Sequence, residues 1–188
     1  MGKVNCNDLR GGMKVEVDGE PYTIISLDFV KPGKGQAFTR SKLKHLTSNR
    51  TLEKTFKSTD KLDTADVEER TMRLLYAEQN EATFMDDNTF DQIAVPMTAI
   101  GENRVWLLEE TLYDIVLYKG EVATITPPNF LNLVITETAP GVRGDTASGR
   151  VMKPATLETG ATVQVPIFIE EGEKIKVDTR NCEYVSRS

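Results

Sequence analysis

The sequence is short of the side chains that most catalytic and metal sites use. Among its 188 residues there is one histidine, His45, and there are two cysteines, Cys6 and Cys182. Histidine is the usual general acid or base near neutral pH, and histidine and cysteine are the usual zinc ligands. Because no nucleophile motif or metal-ligand spacing is present either, we expect neither an enzyme nor a protein that holds a metal or another cofactor.

The cysteine positions and the hydrophobic runs indicate the compartment. Cys6 and Cys182 lie near opposite ends of the chain and make no disulfide framework, which favours a reduced, cytoplasmic protein. No run approaches the roughly 18 apolar residues that span a bilayer, so no membrane partner is expected. The opening residues, MGKVNCNDLRGG, lack the apolar core of a secretory signal.

Charge is unevenly distributed along the chain. The net charge is −6, yet residues 31–61 hold nine lysines and arginines against two acids. Residues 1–64 carry a net charge of +4, and residues 65–188 carry −10. A basic part in an acidic protein indicates a polyanionic partner at one end, although a solvated surface with chance clustering would give the same counts.

Apolar residues alternate with polar ones instead of repeating at helical spacing. Ile25, Leu27 and Phe29 share one face of the segment 22–30, and the odd-numbered residues of 161–169 are all apolar. A period of two is typical of half-buried β-strands. Turn signals separate these segments at DGEP, KPGKG, YKGE and EEGE. We therefore predict an all-β protein, in which Asn88 caps one short helix through NTFDQIAV.

Two segments look like domain boundaries. STDKLDTADVEE, residues 58–69, is polar, and the charge balance changes sign there. ITPPNF, residues 125–130, contains two prolines that cannot continue a strand ladder. The predicted domains are residues 1–64, 65–127 and 128–188, each large enough for a small five-stranded barrel.

The segment FVKPGKGQAF, residues 29–38, is predicted to form the tip of a β-hairpin between strands at 22–30 and 37–46. Pro32 fixes its own φ, while Gly33 and Gly35 permit positive φ and close backbone approach. Lys34 would then project with no neighbouring side chain to shield it. Such a tip is either an ordinary exposed turn or a rigid device that delivers one ammonium group to a crowded anionic site.

A phosphate-binding P-loop does not fit this segment. That motif needs serine or threonine after the lysine and a helix afterwards. Here Gly35 follows Lys34, and a strand is predicted next.

The strand after the tip is strongly basic. Arg40, Lys42 and Lys44 alternate with Thr39, Ser41 and Leu43, so the three cations are predicted to share one face. Three more cations follow at Arg50, Lys54 and Lys57. With Lys31, the row is typical of phosphate-backbone contact, and the lack of an aromatic ladder argues against base readout. His45 falls on the opposite face, where a structural role is expected.

Motifs from end to end of the chain resemble those of bacterial elongation factor P. In the N-terminal third they are FVKPGKGQAF and KTFKSTD, and near the second boundary TPPNF. Towards the C-terminus they are GDTASG, the long block KPATLETGATVQVPIFIEEGEKIKVDTR, and EYVSR. The resemblance covers essentially the whole chain, and its C-terminal block is long and specific.

This resemblance implies a fold and a function. It implies a KOW/SH3-like barrel followed by two OB-folds, in an L-shaped arrangement that imitates tRNA. It implies a monomer that binds the ribosome, through ribosomal RNA and proteins, between the peptidyl and exit tRNA sites. There it would speed peptide-bond formation at consecutive prolines without being an enzyme itself.

The resemblance also implies site residues. Lys34 is the modification site and the contact to peptidyl-tRNA, and a dedicated ligase, most often a β-lysylating one, extends it. Pro32, Gly33 and Gly35 support the tip. In the C-terminal domain, the implied contacts to the small subunit and messenger RNA are Gly144, Asp145, Thr146, Tyr184 and Arg187. A barrel turn, a packed tyrosine and a solvated arginine are the plainer interpretations of those five residues.

One departure from the family pattern and three rival functions stay open. Relatives commonly have glycine just before EYVSR, where this chain has Cys182, so Asn181 is expected to take the left-handed conformation. An enzyme, a cold-shock-type RNA-binding module, and a paralogue that has lost the modification or the activity are the rivals. Aromatic residues make up only 7% of the chain, which disfavours the RNA-binding module.

Overall fold

The computed structural model describes residues 2–140 and 151–188, and almost all of their regular structure is β. In that part of the chain there are sixteen strands, one short α-helix and two 3-10 helices. The helices are α1 (Met97–Ile100) and the 3-10 turns Cys6–Asp8 and Gly101–Trp106. The all-β prediction is confirmed. None of these helices is long and apolar enough to cross a membrane.

The N-terminal strands form a six-stranded antiparallel sheet in the order β1-β6-β2-β3-β4-β5. Its strands are β1 (Lys3–Asn5), β2 (Lys14–Val17), β3 (Glu20–Val30), β4 (Phe38–His45), β5 (Thr51–Lys57) and β6 (Lys61–Thr64). The sheet encloses a core that includes Val15, Ile24 and Leu43. The predicted turn at DGEP joins β2 to β3, with Asp18 and Gly19 both at positive φ.

A β-bulge in β3 corrects one detail of the predicted alternation. The register with β4 shifts between Ile24 and Ser26, so Ile25 is the extra residue. Ile24 is therefore the core residue at 1% exposure, whereas Ile25 is 48% exposed. Beyond the bulge the alternation resumes one residue later, and Leu27 packs against the core as predicted.

The next five strands form a sheet in the order β11-β10-β7-β8-β9. They are β7 (Val67–Ala77), β8 (Glu81–Met85), β9 (Gln92–Pro96), β10 (Leu112–Tyr118) and β11 (Glu121–Thr126). The helix predicted from Asn88 is wrong. The Asp86 carboxylate accepts hydrogen bonds from the backbone N–H groups of Asn88 and Thr89, which makes a turn, and β9 follows immediately. The helix begins only after Pro96.

The last five strands form a closed barrel in the order β12-β13-β14-β16-β15. They are β12 (Phe130–Thr138), β13 (Met152–Leu157), β14 (Thr162–Pro166), β15 (Lys174–Asp178) and β16 (Glu183–Arg187). Only β14 and β16 pair in parallel among these neighbours. The alternation predicted for residues 161–169 holds as far as Val165, and the strand ends at Pro166.

Contacts divide the chain into two compact units, residues 1–70 with 115–124 and residues 71–114 with 125–188. Within the second unit, Trp106 is 4% exposed and belongs to the core of the C-terminal barrel. The Tyr113 hydroxyl holds it in place, donating to the Trp106 carbonyl and accepting from the Leu108 N–H, both at 2.8 Å. Burial raises the pKa of Tyr113 to about 12, so the hydroxyl keeps its proton.

The turn before β16 has Cys182 at a position whose backbone conformation favours glycine. Cys182 itself has φ +57, so the expectation that Asn181 takes the left-handed conformation is wrong. The Asn181 side chain donates to the Glu183 carboxylate at 2.9 Å. A left-handed residue with a Cβ is strained by about 1–2 kcal/mol.

We expect Cys182→Gly to raise the free energy of unfolding by about 0.5–1 kcal/mol. The relief of strain should exceed the extra chain entropy that glycine loses on folding, about 0.5–1 kcal/mol. Urea denaturation measures the change. Cys182→Ala is the control, because it removes the exposed thiol and keeps the Cβ. Equal stabilisation by both substitutions would show that the thiol, and not the backbone, is responsible.

Candidate RNA interface

The predicted hairpin is present, and it carries Lys34 at its end. Strands β3 and β4 pair antiparallel from Tyr22 opposite His45 to Val30 opposite Phe38. On its other side, β3 pairs with β2 only from Glu20 to Thr23. The distal half of the hairpin therefore extends beyond the pairing with β2, supported by β5 on the far side of β4.

The tip loop, residues 31–37, is constrained at Gly35 and at its C-terminal end. Gly35 has φ +130, a conformation that side chains with a Cβ rarely adopt, and an added Cβ would lie 3.5 Å from the Pro32 Cγ. The Ser58 N–H donates to the Ala37 carbonyl at 3.2 Å, which ties the end of the loop to β5. Gly33 is not at positive φ and faces open space, so of the two glycines only Gly35 is required by backbone geometry.

Lys34 and Lys31 are both exposed. Neither side chain makes a hydrogen bond or ion pair with residues 2–140 or 151–188. An ammonium group that nothing in this part of the protein neutralises is available to an external anion.

The basic row on β4 lies on one face, as predicted. Arg40, Lys42 and Lys44 are exposed, while Thr39, Ser41 and Leu43 between them are buried. The neighbouring strands add acids that the sequence pattern could not place. Asp28 lies directly opposite Arg40, and Glu53 lies directly opposite Lys42. The row is therefore partly neutralised, because facing charges on paired strands interact.

Two other basic residues of this region are not part of the row. Lys54 pairs with Ser41 on the opposite face, and its Nζ lies 2.6 Å from the Asp18 Oδ2. His45 has a structural role, as predicted, since its Nδ1 accepts from the Ser48 N–H at 3.1 Å. That contact leaves the His45 Nε2 as the donor to the Glu20 carboxylate at 2.9 Å.

The C-terminal barrel holds two of the predicted small-subunit contacts. Gly144, Asp145 and Thr146 lie outside the described residues. Tyr184 is half-buried against the barrel core. Arg187 is ion-paired to Glu173 with Nε 2.8 Å from Oε2, and its guanidinium lies 5.2 Å from the Phe168 ring centre.

One cluster of this barrel was missed by the sequence analysis. Phe130 is 44% exposed, with the Lys176 Nζ 4.7 Å and the Arg180 Cζ 5.5 Å from its ring centre. The Asp178 carboxylate binds Arg180 at two oxygens, at 2.9 and 2.5 Å. Only the β12–β15 register brings Phe130 beside these residues, about fifty positions later in the chain, so no local pattern could have revealed it.

No group of three or more metal-ligating side chains is placed to hold a metal ion in the part of the chain that the structure describes. The interface chemistry there consists of exposed ammonium and guanidinium groups and aromatic rings. Such groups can bind phosphates and stack on bases.

Three family models match consecutive parts of the chain. The elongation factor P (EF-P) KOW-like domain matches residues 5–62, the elongation factor P (EF-P) OB domain matches 67–125, and the elongation factor P C-terminal model matches 131–187. The chain belongs to the elongation factor P family. The predicted KOW/SH3-like and OB-fold classes are thereby confirmed, and the family is one of translation elongation factors.

Whole-length relatives and solved structures agree with this membership. The chain is 58% identical over 187 residues to elongation factor P 2 of Protochlamydia amoebophila, covering 100% of this chain and 98% of that one. Elongation factor P 2 of Chlamydia trachomatis is 57% identical with the same coverage. Eukaryotic translation initiation factor 5A from Methanococcus jannaschii matches with a TM-score of 0.56 and 24% identity over 67% of this chain and 92% of that one, which shows a shared fold.

We expect Arg180→Ala to destabilise the C-terminal barrel in a pH-dependent way. The hydrogen bonds from Arg180 hold the pKa of Asp178 below its ordinary value, so their contribution is full above that value and is lost as the pH falls through the lowered one. Urea unfolding should show a deficit for the variant near neutral pH that shrinks well below about pH 3.9. A deficit of constant size would contradict the assignment to the Asp178 ion pair.

Proposed function

We propose that this protein binds the ribosome between the peptidyl and exit tRNA sites and accelerates peptide-bond formation at consecutive prolines. Lys34 would contact the acceptor end of the peptidyl-tRNA there. The observation that carries the proposal is an exposed lysine without a protein partner at the end of a paired hairpin, in a chain of this family. The factor acts in the cytoplasm as a monomer and is not itself an enzyme.

Positioning is the chemistry that this tip can supply. Proline is a constrained secondary amine, and a polyproline chain sits badly for attack, so relief needs orientation and no new acid or base. Charge-assisted hydrogen bonds from the Lys34 ammonium to phosphate or ribose oxygens would hold the peptidyl-tRNA. Lysine reaches roughly 6 Å from its Cα. A modifying ligase, β-lysylating in this proposal, would lengthen that reach and add donors.

The basic row and Lys31 would contact the RNA backbone. Arg40, Lys42 and Lys44 face outward together, which suits a phosphate track. Asp28 and Glu53 reduce the net charge of that face. A face of reduced net charge would orient the tip on the RNA and still allow the factor to dissociate from the ribosome.

The C-terminal domain would contact the small subunit and messenger RNA. Arg187 keeps 54% of its side chain exposed while paired with Glu173, so it retains donors for an external partner. Tyr184, Gly144, Asp145 and Thr146 complete the proposed contact. The domain limits at 64 and 127 are part of this proposal, supported by gaps between the family models at 62–67 and 125–131.

A diverged paralogue is the second candidate. The relatives named above both carry the name of a numbered form, elongation factor P 2, and that name favours this candidate. Such a form could bind ribosomes without relieving polyproline stalls, and the first experiment below separates the two candidates.

We expect Lys34→Ala to abolish the rescue of polyproline synthesis while leaving the fold unchanged, because the side chain is exposed and makes no hydrogen bond or ion pair with the part of the chain that the structure describes. The measurement is the yield of a triproline-containing peptide in a purified translation system, with protein from its native host. Lys61→Ala, another exposed lysine of the N-terminal sheet, is the control and should retain full rescue. Rescue by neither the native protein nor the variants would favour the paralogue without the activity.

We expect Lys42→Gln and Glu53→Gln to change ribosome binding in opposite directions. Loss of one phosphate contact should reduce the slope of log affinity against log salt by about 0.7–0.9. Removal of the facing carboxylate should strengthen binding at low salt, because Glu53 lies opposite Lys42. Filter binding across a salt series measures both. An unchanged slope for Lys42→Gln would exclude that lysine from the backbone contact.

A further inference from the structure

Four phenylalanines are strongly exposed, and their surroundings differ. Phe29, Phe90, Phe130 and Phe168 are 60%, 69%, 44% and 61% exposed. Phe130 and Phe168 have cationic side chains of this protein over their rings. Neither Phe29 nor Phe90 has a ring or cation contact within residues 2–140 and 151–188. A ring left uncovered in this way is accessible to an external partner, although a single exposed aromatic residue does not by itself mark a binding site.

Charge separates the two uncovered rings. Phe90 stands in the segment 86–91, which contains three aspartates and no cation. Phe29 begins the segment 29–37, which contains Lys31 and Lys34 and no acid, whereas Arg40 lies on the other face of the hairpin, opposite Asp28. Polyanions are therefore favoured beside Phe29 and repelled beside Phe90.

The backbone holds the Phe29 ring in a defined position. Phe29 pairs with Thr39 in the β3–β4 ladder, one pair before the last. It lies on the same face of the hairpin as Leu27, which is half-buried, and it continues that face beyond the barrel core. The ring is thus presented by a strand and not by the tip loop, so little conformational freedom is lost when it is covered.

An aromatic ring beside phosphate-binding cations matches single-stranded nucleic acid. A base stacks on the ring while the cations neutralise the adjoining phosphates. Phe29 and Lys34 are five residues apart, so their Cα atoms lie within about 17 Å of each other. A few consecutive nucleotides of one unpaired strand can span that distance, so both residues can contact the same strand.

We infer that Phe29 is a stacking platform for an unpaired base at the acceptor end of the peptidyl-tRNA. It is a positioning residue that acts beside Lys34. The inference rests on the proposed function, since it takes its RNA from that function. It adds a sequence-tolerant stacking contact to a tip that otherwise contacts RNA through charge alone.

The experiment compares the affinity of the native-host protein and its variants for two ribosome complexes. One carries a peptidyl-tRNA ending in two prolines, and the other has no tRNA in the peptidyl site. Phe29→Ala should weaken binding to the first complex by about 5- to 150-fold. Binding to the complex without tRNA should not change. Phe29→Tyr keeps a ring and should bind as the native protein does, whereas Phe29→Leu keeps the apolar bulk and should bind weakly.

Phe90→Ala is the matched control and should bind both complexes normally, because its ring lies among acids. Thermal unfolding confirms that each variant folds, and intact mass measures how fully Lys34 is modified. Equal weakening with and without tRNA would overturn the inference in favour of a ribosomal contact. The loss of affinity could also disappear when native and Phe29→Ala proteins with equally modified Lys34 are compared. That result would overturn the inference and show that Phe29 contacts the modifying ligase instead.

The two proposals fail in different ways. If Phe29→Ala binds the tRNA-bearing complex as tightly as the native protein does, and the native protein rescues polyproline synthesis, the stacking proposal is wrong and the proposed function is unaffected. A native protein that neither binds the tRNA-bearing complex nor rescues synthesis removes the proposed function and the stacking platform with it.

Discussion

The antiparallel ladder between β3 and β4 continues after the pairing with β2 has ended, and the position of Lys34 depends on that continuation. A loop of Gly and Pro alone would place an ammonium group only loosely. The ladder up to Val30 and Phe38, the pairing of β4 with β5, and the hydrogen bond from the Ser58 N–H to the Ala37 carbonyl restrict both ends of the loop. A positioning function needs this restriction, since an orienting contact loses its effect if its carrier moves.

The electrostatics of this hairpin differ between its tip and β4. The tip carries Lys31 and Lys34, and segment 29–37 contains no acid, whereas on β4 Arg40 faces Asp28 and Lys42 faces Glu53. The cations of the tip are therefore less compensated by carboxylates than Arg40 and Lys42 are. Near the C-terminus, Arg180 and Arg187 each form an ion pair within the barrel, with Asp178 and Glu173 respectively.

Local patterns predicted the strands well because the side-chain period of a strand is a property of the backbone itself. The predictions failed where one residue changed the local rule. Because of a bulge at Ile25, Ile24 and not Ile25 lies in the core. A turn formed by Asp86 stands where a helix was expected from Asn88. Cys182 adopts the left-handed conformation that was expected of Asn181. The first two failures follow from a register shift and a hydrogen bond that involve residues outside the pattern.

By itself, the sequence determined the alternating strands, the turns, the exposed lysine between two glycines and the family, because these depend on neighbouring residues or on contiguous motifs. The tertiary structure alone decided which cations face acids, that Lys176 and Arg180 lie over the Phe130 ring, and that the ring of Phe29 stays uncovered on the strand that leads to the tip. Cross-strand register sets those neighbours, and register is fixed by the packing of whole strands that lie far apart in the chain.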